Sequence, residues 1–200
     1  MTFHRQTLDR LSRALTAAPA RSSDFDLSAA GGGAVPLRPA AVLVPLIDRP
    51  QGLSVLLTRR SPTLRHHPGQ IAFPGGKQDA GDRDLWATAL READEEVGLD
   101  PTSVAPMGRL DRHETVTRFD VEPHVGLIPA DAPLRIDRRE VAEAFEVPLE
   151  AVLDAGRYQV HSRLWQGRER RYYAVPYGPY YIWGATARIL KGLADRVARV

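Results

Sequence analysis

Trp86, Ala89, Leu90, Ala93 and Val97 recur at i, i+3, i+4, i+7 and i+11, and Gly98 follows them directly. That spacing lines one side of a helix with apolar side chains, and the glycine supplies its stop. The same turns carry Glu92, Glu95 and Glu96 at i, i+3 and i+4, so three carboxylates share a face of their own. At roughly 6 Å and an effective dielectric near 20, two such charges repel by about 3 kcal/mol, whereas on a solvated helix the penalty is a few tenths. The chain therefore either exposes this face fully or sets it in a cleft beside cations. In a cleft, hard oxygen ligands select Mg2+ or Mn2+.

The approach to the helix favours the cleft. Phe73-Pro74-Gly75-Gly76 ends a short strand with two residues that lack side chains, so the backbone can come close to a bulky ligand. Upstream, apolar stretches over 40–47 and 53–58 flank Asp48-Arg49-Pro50-Gln51-Gly52, which reads as a hairpin. A loop over 59–70, rich in Arg and His, precedes a strand over 71–73. Downstream, strand patterns fall at 104–110, 116–121 and 124–128, a short helix is expected over 140–145, and a last helix over about 184–200. Strands mixed with helices at this length predict an α/β sandwich, a mixed sheet covered by helices.

At the amino end, Leu8, Leu11 and Leu15 have helical spacing, and residues 17–35, with the Gly31-Gly32-Gly33 run, have the composition of a flexible connection. The expected organisation is a helix and linker over 1–36 and one domain over 37–200. The 200 residues are 43% hydrophobic and 26% charged, which excludes global disorder, and no apolar run reaches the roughly 18–20 residues of a membrane span. The absence of Cys removes disulfides, zinc-thiolate sites and thiol nucleophiles together. With no secretory apolar core at the start, the expected setting is the cytoplasm, without a membrane partner.

The net charge of +2 hides an asymmetry: residues 157–200 hold nine Arg or Lys against two Asp or Glu. Arg163, Arg168, Arg170 and Arg171 interleave there with Tyr158, Trp165, Tyr172 and Tyr173. The interleaving could stack a base and hold phosphates. The expectation taken here is a strand pair with its aromatic residues inward and its arginines outward.

Gly76, five residues, Asp82, eight residues, then Arg91-Glu92-Ala93-Asp94-Glu95-Glu96-Val97-Gly98-Leu99 resembles the Nudix box G-x5-E-x7-R-E-U-x-E-E-x-G-U, where U is aliphatic. It departs by Asp82 in place of Glu and by one extra residue before Arg91. Leu56-Leu57-Thr58-Arg59-Arg60-Ser61, Arg65, Gly69 and Phe73-Pro74-Gly75-Gly76 are similar to the signature of the coenzyme A pyrophosphatase subgroup, as is the run from Ile182 to Leu190. The resemblance covers about residues 37–200.

It implies the Nudix α/β/α sandwich and metal-dependent hydrolysis of the pyrophosphate of coenzyme A or its derivatives, to 3′,5′-ADP and 4′-phosphopantetheine. It also implies Glu92 and Glu96 as metal ligands, Glu95 completing the site directly or through water, and the Gly75 carbonyl as a further oxygen. Arg91, within i+4 of Glu95, is expected to orient that carboxylate. Arg60, Arg65, His67 and Gln70 are the expected substrate contacts, since a 3′-phosphate calls for charge-assisted donors. The catalytic base stays open between a box glutamate and Glu114, Glu122, Glu140 or Glu143. Other readings are a hydrolase of NADH or ADP-ribose, or a non-catalytic module that binds nucleotide or RNA. Nucleic acid is not the expected partner, and the sequence leaves room for a homodimer.

Overall fold

The computed structural model describes residues 2–28, 36–165 and 167–200, with the side chains of 2–4 and 165 set aside. Helix α1 (Thr2–Thr16) and strand β1 (Arg21–Ser23) precede a long hairpin, β2 (Arg38–Arg49) and β3 (Gly52–Arg60), which turns where Asp48 to Gly52 predict. Two short strands follow, β4 (Ile71–Ala72) and β5 (Gly75–Lys77), and then α2 (Leu85–Val97). Strands β6 (Ala105–Arg109), β7 (Arg112–Glu114), β8 (Phe119–Ile128) and β9 (Val141–Pro148) lead into α3 (Leu149–Leu153). The chain closes with β10 (Gln159–Trp165), β11 (Arg168–Tyr177), β12 (Tyr180–Trp183) and α4 (Ala185–Val197).

The larger sheet runs β1-β7-β8-β2-β3-β4, with β5 on β2, β6 on β8 and β9 on β3, while β10-β11-β12 form a second sheet. Strands β2 and β8 pair in parallel over ten residues, and this mixed sheet is the centre of an α/β sandwich. Alternation along β2 divides the core. Val44 and Leu46 face α1, α3 and α4, joining Leu11, Val152 and Leu190. Ala41, Leu43 and Ile47 face α2, joining Ala89, Ala93 and Val97. Among the described residues no helix is long and apolar enough to cross a membrane.

Two expectations are corrected. Residues 140–145 do not form a helix: Val141, Phe145 and Val147 are buried at even spacing, and β9 pairs with β3 through seven residue pairs. Ladder bonds and alternating burial there outweigh the helix preference of Ala and Glu. Residues 17–28 are not a loose linker either. Strand β1 lies parallel to β7, Ser22 is buried, and its Oγ is 3.0 Å from Nδ1 of the fully buried His113. The Gly31-Gly32-Gly33 run lies outside the described residues.

Candidate active site

Helix α2 starts at Asp84, whose carboxylate accepts from the Ala87 N–H at 2.7 Å, and ends at Gly98, whose φ of 66° fits the left-handed cap. Between these caps the apolar stripe sits on the sheet, and this sets the depth of each acid. Glu95 is exposed, Glu92 is half-buried and Glu96 is 2% exposed beside Val97. Gly76 makes room for the middle one: a Cβ there would lie 2.5 Å from the Glu92 carboxylate. Gly75 is constrained from the other side, with φ of 153° and a Cβ position 2.4 Å from the Ala41 carbonyl oxygen.

Arg91 organises the outer acids. It pairs with Glu92 at 3.1 Å and Glu95 at 3.0 Å, and it donates to Asp82 at 2.9 and 3.0 Å. Asp82 also accepts from the Thr88 hydroxyl and the Asp79 N–H. The Arg91 hydrogen bond holds its carboxyl well below the usual carboxylate range. Asp82, the acid that departs from the box, therefore anchors the arginine on which the other acids rest.

Glu96 has a different partner. Its Oε1 stands 3.7 Å from the Arg60 guanidinium, and its Oε2 is buried with no hydrogen-bond partner among the described residues. Burial pushes its carboxyl up to about 8; Arg60 and the Gly75 N–H oppose this, while the charges of Glu92 and Glu140 add to it. Glu92 is raised as well, mainly by burial, with Arg91 opposing and Glu95 and Glu140 adding. Among the described residues no three acidic or imidazole side chains yet converge on one point, since Glu92 and Glu95 lean on Arg91 and Glu96 on Arg60. The set nonetheless fits a hard divalent cation. A buried carboxylate with an orphaned oxygen, next to a second acid of raised pKa, is a ligand pair short of positive charge.

On the opposite face of the sheet from α2 lies a cavity of about 250 Å3. Arg60, His67, Gln70 and Gly75 line it, so four of the residues singled out in the sequence meet there. Burial and the Arg60 charge push the His67 imidazole down. Arg65 is exposed on the same loop and does not line the cavity. Arg60 and Gly75 touch both regions: each meets Glu96 and each lines the cavity.

The remaining wall comes from the basic tail. Arg163, Arg170, Arg171, Tyr172 and Trp183 line the cavity. The separation of inward aromatic residues from outward arginines is not found. The register pairs Arg163 with Arg170 across β10 and β11, which puts them on the face that Tyr172 shares. The Arg163 guanidinium lies 4.5 Å from the Trp183 ring centroid, and Tyr172 and Trp183 are 5.1 Å apart. Interleaving at steps of two along each strand is the signal that could have found this shared face. Asp24, from the segment expected to be linker, also lines the cavity and had no signal in the sequence.

The four downstream acids separate. Glu122 pairs with Arg112 at 2.8 Å, Glu143 with Arg59 at 3.0 Å, and Glu114 takes part in the β7–β8 ladder. Glu140 is exposed, and its charge raises both Glu92 and Glu96.

The family model described as NUDIX domain matches residues 36–166. A Cronobacter sakazakii protein named "Uncharacterized Nudix hydrolase NudL" is 47% identical over 163 residues, covering 80% of this chain and 83% of its own. The protein of that name from Klebsiella pneumoniae is 46% identical with the same coverage. Among solved structures, a MutT/nudix family protein from Enterococcus faecalis superposes with a TM-score of 0.50 at 16% identity, over 88% of this chain and 67% of that one. That last likeness concerns the fold.

Proposed function

The chain belongs to the Nudix family and is a Nudix hydrolase, and from that premise we propose that it cleaves the pyrophosphate of coenzyme A or a derivative to 3′,5′-ADP and 4′-phosphopantetheine. The observation that carries this reading is the double contact of Arg60, which meets the buried Glu96 on one side and the arginine-rich, aromatic cavity on the other. An acid patch suited to Mg2+ or Mn2+ thereby adjoins a pocket suited to an anionic nucleotide.

Glu92 and Glu96 are the residues we assign to the cation, with Glu95 and the Gly75 carbonyl completing its shell. Bound there, a divalent ion would neutralise phosphate oxygens and acidify water. Arg91 keeps Glu92 and Glu95 in place from its anchor on Asp82. Arg60 donates to a phosphate oxygen, while His67 and Gln70 bind the nucleotide from the loop. Arg65, outside the cavity, is given no contact within it. Glu140 accepts a proton from the attacking water as the new P–O bond forms and the anhydride P–O bond breaks. The absence of Cys agrees with a cytoplasmic setting.

The test is incubation of the purified chain with Mg2+ or Mn2+ and coenzyme A, its acyl and oxidised forms, NADH and ADP-ribose, with products identified by mass. Release of 3′,5′-ADP from a coenzyme A species is expected. Cleavage of NADH or ADP-ribose in preference to every coenzyme A species would overturn the assignment, and nucleotide or RNA binding without turnover would replace it by a binding module.

A further inference from the structure

Residues 21–28 lie ahead of the segment that matches the NUDIX domain, yet Asp24 among them lines the cavity and its neighbours touch the arginines beside it. We infer that this strap determines specificity, setting Arg170 in the cavity to take a nucleoside that carries a phosphate monoester in addition to the pyrophosphate. The inference rests on the nucleotide-hydrolase reading above and adds to it the part of the chain that recognises the extra phosphate.

The strap is tied to the main sheet at one end. Strand β1 pairs with β7, the Asp24 N–H donates to the Glu114 carbonyl at 2.9 Å, and the Asp24 carboxylate accepts from the Val116 N–H at 2.8 Å and lies 3.0 Å from His113 Nε2. At the other end it meets the second sheet and α4. The Arg170 guanidinium lies 5.0 Å from the Phe25 ring centroid, the Arg171 N–H donates to Ser28 Oγ at 3.4 Å, and Asp26 pairs with Arg188 at 2.9 Å. Residues 115–117 on one side and Arg170 to Tyr172 on the other all line the cavity that the strap spans.

Charge names the ligand. Arg60, Arg163, Arg170 and Arg171 line a space of about 250 Å3, and Asp24 is the one carboxylate among the lining residues. Asp24 is held by His113 and Val116 and its charge also reaches Arg170, so one carboxylate stands against four arginines and the lining keeps a positive excess. Like charges gathered this closely favour a polyanion. Arg60 serves the pyrophosphate beside Glu96, which leaves Arg170, held on β11 against the strap, for a second anionic group. The ring of Phe25 against the Arg170 guanidinium fixes its orientation before a ligand arrives. Tyr172 and Trp183 offer the faces on which the base can stack.

The experiment is calorimetric binding of adenosine 3′,5′-bisphosphate and of AMP to the full chain in chelator, so that no turnover occurs. The wild-type chain is expected to bind the bisphosphate at least about tenfold more tightly, as charge-assisted hydrogen bonds allow. Phe25→Ala should narrow that ratio about threefold, and Arg170→Ala should bring it close to one, with AMP affinity changed less than the bisphosphate's. Equal affinities in the wild type, or an unchanged ratio in both variants, overturn the inference. If Phe25→Ala lowers the melting temperature, the partly exposed Arg170 carries the test alone. A chain that discriminates the bisphosphate but cleaves no coenzyme A species refutes the substrate and leaves the strap standing. A chain that cleaves coenzyme A without discriminating refutes the strap only.

Discussion

Replacing Glu96 by Gln should make the metal-free chain more stable at high pH, a direction opposite to that of most changes to a buried polar residue. Burial raises the Glu96 carboxyl from 4.5 to about 8. Between those values the folded chain keeps a proton that the unfolded chain gives up. Stability from this group is therefore fully present below pH 4.5 and is lost as pH rises toward 8. The loss amounts to about 3 kcal/mol at pH 7 and about 5 kcal/mol at pH 9. Glu96→Gln is neutral throughout and escapes it. The assay is urea unfolding of both proteins in chelator at pH 5, 7 and 9, followed by tryptophan fluorescence. The stability difference between variant and wild type should grow across this range by most of that amount. Added Mg2+ should then restore the wild type at pH 9, by about 2.7 kcal/mol at a hundredfold excess over its Kd, and leave the variant nearly unchanged. Parallel pH profiles in chelator, or equal stabilisation of both proteins by Mg2+, would refute the reasoning.

Arg91→Ala removes the partner of Asp82, whose side chain is 7% exposed, and should lower stability by about 2 kcal/mol in thermal unfolding, with Arg91→Lys restoring little because one ammonium cannot replace the fork. Gly76→Ala should fold, since its Cβ meets only the end of the Glu92 side chain, but should weaken Mg2+ binding measured by calorimetry; Gly75→Ala, which meets the Ala41 backbone at a positive φ, should yield little folded protein on circular dichroism. Glu140→Gln should reduce kcat by about 100-fold or more with an unchanged melting curve; an unchanged kcat would remove Glu140 from proton transfer. Arg60→Gln should abolish the mutual strengthening of Mg2+ and nucleotide binding expected in the wild type, read by titrating each in the presence of the other.

The parts of the fold that were legible in the sequence are those where a local pattern and its burial agree. The stripe from Trp86 to Val97 and the stop at Gly98 gave α2 its face and its end, and the alternation around Asp48 to Gly52 gave the central hairpin. Residues 141–148 misled because Ala and Glu favour a helix, while the partner that makes them a strand, β3, lies more than eighty residues earlier. Strand β1 is three residues long, too short to show a period. The three acids were visible at once, but their unequal depth was not. Whether a carboxylate at i+4 is exposed or 2% exposed depends on the packing angle of α2 against β2 and β5, which no spacing encodes. The arginines of β10 and β11 needed the cross-strand register before their shared face with Tyr172 could be read.

On the proposed reading, Arg60 couples the two halves of the site. It stands at the end of β3, where the chain leaves the sheet, and its guanidinium has two neighbours it cannot fully serve at once. Toward α2 it is the counter-charge of Glu96, at a separation of 3.7 Å that is longer than a hydrogen bond, and its buried Nε has no hydrogen-bond partner among the described residues. Toward the cavity it is one of four arginines that line the space. A cation on Glu96 takes over the neutralising role and releases the guanidinium toward a phosphate; a phosphate drawing Arg60 away removes the positive charge that would repel a cation arriving at Glu96. Each event therefore favours the other by the same coupling free energy. Substrate and metal would then bind as one cooperative set, with the acid patch capped by arginine when both are missing.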